Sequence, residues 1–97
     1  MSKSPKQLVV RDDRDDRSSS FAEVKIVEDG TFVFEGVDAG PDVEKFCGDS
    51  DFEYWLRVRA EDKDAMLLHL VKEHCGSVHA LKEWLAQRQI AAEFTSC

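Results

Sequence analysis

The chain has 97 residues, of which 42% are hydrophobic and 34% charged, and its 13 basic and 20 acidic side chains give a net charge of -7. This length fits one compact domain, and the apolar content is too high for a wholly disordered chain. No apolar run approaches the roughly 20 residues of a membrane-spanning helix, and negative charge disfavours nucleic acids and anionic membranes as partners. We therefore expect a soluble protein with no nucleic-acid and no membrane partner.

The composition divides the chain into a flexible N-terminal segment, residues 1–20, and a single folded domain, residues 21–97. The segment holds a run of mixed charges between Arg11 and Arg17 followed by three serines, so it offers few apolar side chains to bury. Its exception is the apolar triplet at residues 8–10, which is compatible with a short edge strand.

Residues 21–37 predict a β-hairpin whose loop contains Gly30. A two-residue turn would mix apolar and charged side chains on each face. A three-residue loop, with Gly30 at positive φ, pairs Ile26 with Phe32 and Val24 with Phe34, so these four share one face. The opposite face then carries Glu23, Lys25, Val33 and Glu35.

The connection over residues 36–51 contains the pattern of a short helix. Pro41 suits the first helical position and Gly48 suits the end, while Val43, Phe46 and Cys47 recur at the spacing of one helical face. We expect a helix of less than two turns between the hairpin and the next strand.

Residues 52–60 alternate strictly between apolar and polar positions, which predicts a half-buried antiparallel strand. The side expected to face the core carries Phe52, Tyr54, Leu56, Val58 and Ala60. The outer side carries Glu53, Trp55, Arg57 and Arg59.

Two helices and a last strand complete the prediction. The first helix covers residues 63–75, with Asp62 as N-cap and Gly76 as the residue that ends it; the second covers residues 78–89 and is capped by Ser77. A final strand covers residues 90–95, with Ile90 and Phe94 among its inward side chains.

The fold class that follows is α+β. We expect a mainly antiparallel four-stranded sheet, with an optional fifth N-terminal edge strand and the helix pair packed on one face. The element order is β-β-(short helix)-β-α-α-β.

The residues that could support chemistry form no convincing metal or catalytic site. His69 and His74 lie about 140° apart around their helix, and His74, Cys75 and His79 match no standard zinc spacing. Cys75 lies at a helix C-terminus, where the dipole disfavours a thiolate. We predict no metal, no cofactor and no catalytic residue.

Trp55 is the strongest candidate for a functional side chain. It lies on the outer side of its strand with Arg57 and Arg59, and Val33 and Lys25 of the hairpin share that side. In one interpretation, the aliphatic stems of Arg57 and Lys25 cover the indole, or the N-terminal segment lies across it. In the other, the aromatic ring and its flanking cations anchor a protein interface, because Trp and Arg are enriched at binding hot spots.

These patterns favour a small acidic protein-binding domain with an inhibitor, adaptor or regulatory role. Residues 18–53 hold ten acidic side chains against two lysines, which suits a basic partner protein, and self-association is the other option. Three cysteines in no CxxC pair, with no secretory signal, predict a cytoplasmic location. The alternative is a small enzyme or ligand-binding domain with a pocket near the helix hairpin and residues 38–51, beside His74 and Cys75.

Overall fold

A computed structural model describes residues 6–40 and 51–96 of the chain. It confirms the α+β class, with a four-stranded antiparallel sheet and two helices. The strands are β1 (Gln7–Arg14), β2 (Ser19–Ile26), β3 (Phe32–Ala39) and β4 (Asp51–Val58), and the helices are α1 (Ala60–His74) and α2 (Val78–Gln87). The predicted short helix between the hairpin and β4 lies outside the described residues.

The sheet is a simple meander in which the spatial order of the strands is their order along the chain, β1-β2-β3-β4. Each neighbouring pair is antiparallel. β1 and β4 therefore form the two edges of the described sheet, and the β2–β3 hairpin lies between them.

The predicted hairpin register is confirmed. Ile26 lies opposite Phe32 and Val24 opposite Phe34. Gly30 has a φ of 90°, and the N–H of Val27 donates to the carbonyl of Thr31, which leaves the three residues 28–30 as the loop. Glycine suits this position because other residues reach positive φ only at a cost.

The alternation of β4 is also confirmed, because Leu56 lies opposite Phe34 and Trp55 opposite Glu35. The sheet thus has an apolar face and a mixed face. The apolar face carries Val24, Ile26, Phe32, Phe34, Phe52, Tyr54, Leu56 and Val58, and the mixed face carries Glu23, Lys25, Val33, Glu35, Glu53, Trp55 and Arg57. The prediction was wrong for Ala60, which is the first residue of α1 rather than a strand residue.

The N-terminal segment contributes more structure than its composition predicts. Residues 7–14 form an eight-residue edge strand, and Ser19 and Ser20 begin β2. Between them Asp15 closes the turn, since its carboxylate accepts the backbone N–H groups of Arg17 at 2.8 Å and Ser18 at 2.7 Å. These bonds lower the pKa of Asp15.

The predicted final strand is wrong, because residues 90–95 carry no strand. After α2, Gln89 takes a φ of 58°, and the N–H of Ile90 donates to the carbonyl of Leu85. This is a Schellman turn, which redirects the chain at the end of the helix. The ring of Phe94 then packs against α2. Its centroid lies 5.7 Å from the centroid of the His79 ring and 4.8 Å from Lys82 Nζ.

The helix ends agree with the sequence only in part. Ser77 caps α2 as predicted, accepting the N–H of Ala80 at 3.1 Å. Asp62 is not the N-cap of α1, since the helix begins two residues earlier at Ala60. Gly76 lies beyond the end of α1 without the positive φ of a left-handed cap.

The chain forms two compact units, one that contains the sheet and ends at residue 61 and one that contains residues 62–97. Ala22, at 2% exposed, and Val33, at 5%, are the buried hydrophobic residues of the described chain. Packing of the helix pair on the sheet, and a single domain over residues 21–97, stay predictions. Neither described helix is long and apolar enough to cross a membrane.

Candidate protein-binding surface

Six side chains of the edge strand β4 are exposed, and five of them, from both faces of the strand, are here named the β4 surface. These five are Phe52, Glu53, Trp55, Leu56 and Arg57, of which Phe52 is 45%, Trp55 52% and Leu56 62% exposed. β3 is the one strand that pairs with β4 in the described sheet. One side of β4 therefore offers main-chain N–H and C=O groups with no strand partner in that sheet, the arrangement that invites pairing with another chain.

An ion pair lies next to Trp55 on the mixed face. Trp55 lies opposite Glu35 on β3, and Lys25 Nζ of β2 lies 2.6 Å from Glu35 Oε1. This hydrogen-bonded pair lowers the pKa of Glu35 and raises the pKa of Lys25, and Trp55 makes a smaller contribution to the shift of Glu35. The indole of Trp55 is therefore exposed to solvent next to the Lys25–Glu35 ion pair.

Glu53 and Arg57 flank Trp55 along the mixed face at equal distances in sequence. Four residues of a strand span about 13 Å, so each charge lies about 6–7 Å from the Trp55 position along the strand. Neither side chain takes part in the ion pairs found within residues 6–40 and 51–96. The β4 surface therefore presents an acid, an aromatic ring and a base in a row.

A shallow groove of about 250 Å³ runs beside Trp55 on the mixed face. Its walls combine apolar groups with carboxylates: Phe21, Val37 and Trp55 with Glu23, Glu35 and Glu53. Lys25 forms an ion pair with Glu35, and Gln7 Nε2 donates to Glu23 at 2.8 Å, whereas Glu53 is exposed and takes part in no ion pair among residues 6–40 and 51–96. A cationic group that enters this groove would meet the carboxylate of Glu53.

The structure places the five residues predicted for binding in different surroundings. Trp55 and Arg57 lie exposed on β4. Lys25 is half-buried and bound to Glu35, and Arg59 follows β4 with its guanidinium 3.3 Å from Glu61. Val33 shares the mixed face but is only 5% exposed, because Lys25 and Arg57 flank it on the two neighbouring strands. Val33 is therefore part of the core and is not accessible to a partner.

The sequence analysis did not include Phe52, Glu53 and Leu56 among the candidate binding residues, although it placed Glu53 on the outer side of the strand. Phe52 and Leu56 belong to the apolar alternation, which predicts core positions. No sequence signal identifies them, because their exposure follows from the position of β4 at the edge of the sheet, where a strand has one neighbouring strand instead of two.

Gly36 allows Tyr54 of β4 to pack directly against the backbone of β3. Tyr54 lies opposite Gly36 across the β3–β4 ladder, and its ring rests on the place where a larger residue would carry a side chain. A Cβ at position 36 would also lie 2.7 Å from the carbonyl oxygen of Phe21. The glycine therefore permits a close approach that any side chain would prevent.

The candidates for chemistry do not assemble into a site within the described residues. No group of three or more His, Cys, Asp or Glu side chains in residues 6–40 and 51–96 is placed to hold a metal ion. His74 and His79 are exposed, and Cys75 is a half-buried free thiol. The enzyme alternative, whose pocket includes residues outside the described ranges, stays a prediction.

Comparisons of the chain with protein-family models, with curated proteins and with solved structures find no match.

Proposed function

We propose that this protein is a small protein-binding domain whose contact area is the β4 surface. The observation that carries the proposal is the exposure of Trp55 on an edge strand. Its indole is 52% exposed, with the carboxylate of Glu53 on one side along β4 and the guanidinium of Arg57 on the other. Trp and Arg supply most of the binding energy at many interfaces, because they combine a large apolar area with directed hydrogen bonds. An inhibitor, adaptor or regulatory role fits a domain of this size.

The edge position of β4 adds a second means of recognition. A partner strand can pair with the main-chain groups along β4, and the side chains on its two faces then provide specificity. The interpretation in which Arg57 and Lys25 cover Trp55 has less support, because Lys25 is bound to Glu35 and Trp55 stays half-exposed.

A cytoplasmic location belongs to this proposal. Three cysteines form an odd number, and thiols stay reduced in the cytoplasm. We expect the protein to act there without a disulfide.

Photo-cross-linking from the β4 surface tests the proposed function. A benzophenone amino acid replaces Phe52, or replaces Val9 on β1 as a matched control, since Val9 is 58% exposed at the opposite edge. After irradiation in the producing cells, we expect a discrete protein adduct from position 52 and none from position 9. Adding Trp55→Ala should lower the yield at position 52 at least about tenfold.

The adducted protein is then purified and titrated with the unmodified chain. Trp55→Ala should weaken that binding by a similar factor, while Val9→Ala should leave it unchanged. Equal adduct yields from positions 52 and 9 would overturn the proposal. So would a yield at position 52 that is unchanged by Trp55→Ala.

A further inference from the structure

We propose that the β4 surface binds a second copy of this chain, with two β4 strands paired antiparallel about a two-fold axis at Trp55. This inference rests on the proposed function and names its partner. The result would be a continuous eight-stranded sheet with one isologous interface, the commonest symmetry of protein dimers.

The side-chain alternation of β4 restricts the registers that such a pair can use. Residues that lie opposite each other in an antiparallel ladder point to the same face. A two-fold axis that passes through a residue therefore keeps the apolar faces of both copies on one side. An axis between two residues would place apolar side chains of one copy beside polar side chains of the other.

An axis at Trp55 matches the charges of the two copies. Glu53 of one copy then lies opposite Arg57 of the second copy, and the symmetry repeats this contact on the other side of the axis. Neither charge has an ion-pair partner within residues 6–40 and 51–96, and the pairing gives each of them an oppositely charged neighbour. The two Trp55 rings lie side by side between these contacts, and cross-strand aromatic pairs are favourable.

The same axis matches the apolar face. Phe52 lies opposite Val58 of the second copy, and Tyr54 lies opposite Leu56. The most exposed side chain of β4, Leu56 at 62%, thereby gains an aromatic neighbour and loses contact with water. Both faces of β4 are thus complementary to themselves in one register.

The neighbouring registers are less complementary. An axis at Tyr54 places Glu53 opposite Trp55, and an axis at Leu56 places Arg57 opposite Trp55, so each separates the Glu53–Arg57 pair. With the axis at Leu56, Glu53 would face Arg59, which already contacts Glu61 at 3.3 Å. The axis at Tyr54 also pairs opposite charges, Arg57 with Asp51, but it leaves Glu53 opposite Trp55. Of these three registers, the one centred on Trp55 is the one that gives both Glu53 and Arg57 an oppositely charged neighbour within β4.

Sedimentation of the purified full chain tests the inference first. We expect a monomer–dimer equilibrium between about 1 µM and about 100 µM, because small interfaces bind weakly. Glu53→Arg alone and Arg57→Glu alone each place like charges opposite one another twice, so each should weaken the dimer at least about tenfold.

An equimolar mixture of these two variants provides the decisive measurement. In the mixed dimer each arginine faces a glutamate again, so association should return to the wild-type level as a heterodimer. Arg11→Glu and Asp13→Arg on β1 repeat the same charge changes at the other edge and should leave the equilibrium unchanged. Circular dichroism of every variant establishes that it is folded.

The outcomes separate this inference from the proposed function. A wild type that stays monomeric throughout, a mixture that fails to re-associate, or assembly that grows beyond two copies would overturn the two-fold pairing. If a monomeric protein still cross-links to a different protein from position 52, the proposed function stands and only the second copy is rejected. If that cross-link is also absent, both fail.

Discussion

The two edges of the sheet are strands of equal length with different chemistry. β1 has three exposed aliphatic side chains at residues 8–10, but a bulge between Val9 and Arg11 interrupts the ladder within that run. Its second half, residues 11–14, is entirely charged. β4 keeps a regular eight-residue register with β3 and exposes apolar side chains on both faces.

This difference shows which edge is protected against pairing and which is available for it. Bulges and charged side chains are the devices by which natural sheets prevent unwanted strand addition. β1 has both, and its charges satisfy one another within the strand, with Arg11 4.0 Å from Asp13 and Arg14 3.7 Å from Asp12. β4 has no bulge, and its charged side chains alternate with exposed apolar ones, so a partner strand meets a regular main chain flanked by apolar side chains there.

The largest loss of stability is expected from Gly36→Ala. The new methyl group would overlap the ring of Tyr54, so β4 should pack less closely on β3. We expect the free energy of unfolding to fall by about 2 kcal/mol, the typical cost of a side chain forced into a filled space. Gly76→Ala is the control, because a Cβ there meets no atom within 4 Å. Chemical denaturation measures both; equal stability of the two variants would show that β4 is not held by this contact.

The next effect separates the two edges directly. Leu56→Lys and Leu8→Lys place the same charge on the apolar face at opposite edges, at positions 62% and 58% exposed. Leu56→Lys should weaken association at least about tenfold, because a lysine on an edge strand opposes pairing. Leu8→Lys should leave association unchanged. A similar loss from both variants would contradict the assignment of binding to β4 alone.

A smaller effect concerns the acids near each edge. Lys25→Met removes the ammonium beside Glu35, so the pKa of Glu35 should rise toward its ordinary value of 4.5, while the pKa of Asp15 should stay lowered by the backbone N–H groups of its turn. Carbon-detected NMR titration reads both carboxyls. An unchanged Glu35 would mean that Lys25 is not the cause of its shift.

The same pair defines a pH range of stability. Because the folded-state pKa of Glu35 is lowered, its contribution is complete above pH 4.5 and is lost as the pH falls through the folded-state value. Because the pKa of Lys25 is raised, its contribution is complete below pH 10.5 and is lost as the pH rises further. Lys25→Met should remove the dependence at high pH and reduce the dependence at low pH, because Lys25 is the largest cause of the Glu35 shift.

The smallest effect is expected at the charged half of β1. Arg14→Gln breaks a pair whose side chains are 80% and 55% exposed, so stability should change by no more than about 0.5 kcal/mol. Thermal unfolding at low and high salt measures it. A larger loss would mean that these charges hold β1 in place rather than protect its edge.

Local patterns predicted the parts of the fold that depend on neighbours in sequence. The hairpin register followed from the alternation around Gly30, and Ser77 followed from the preference of helix N-caps for a side-chain oxygen. The mixed face of β4, with Trp55 and Arg57, followed from strict alternation. Each of these features is determined within a few residues, where backbone sterics and hydrogen bonds act directly.

Local patterns did not predict which segments, distant in sequence, pair with each other in the sheet. Residues 8–10 and residues 90–95 are both short apolar runs, and local propensity does not distinguish which one joins the sheet. The distinction came from the Schellman turn at Gln89, which directs residues 90–95 elsewhere, and from the ladder that β1 forms with β2.

The sequence by itself determined the α+β fold class, the two faces of the sheet and the side of β4 on which Trp55 lies. The tertiary structure alone decided that β4 is an edge, that Val33 is covered by its neighbours, and that Glu53 and Arg57 stand without ion-pair partners in the described residues. The physical reason is that alternation depends on one strand, whereas exposure and pairing depend on which strands lie beside it.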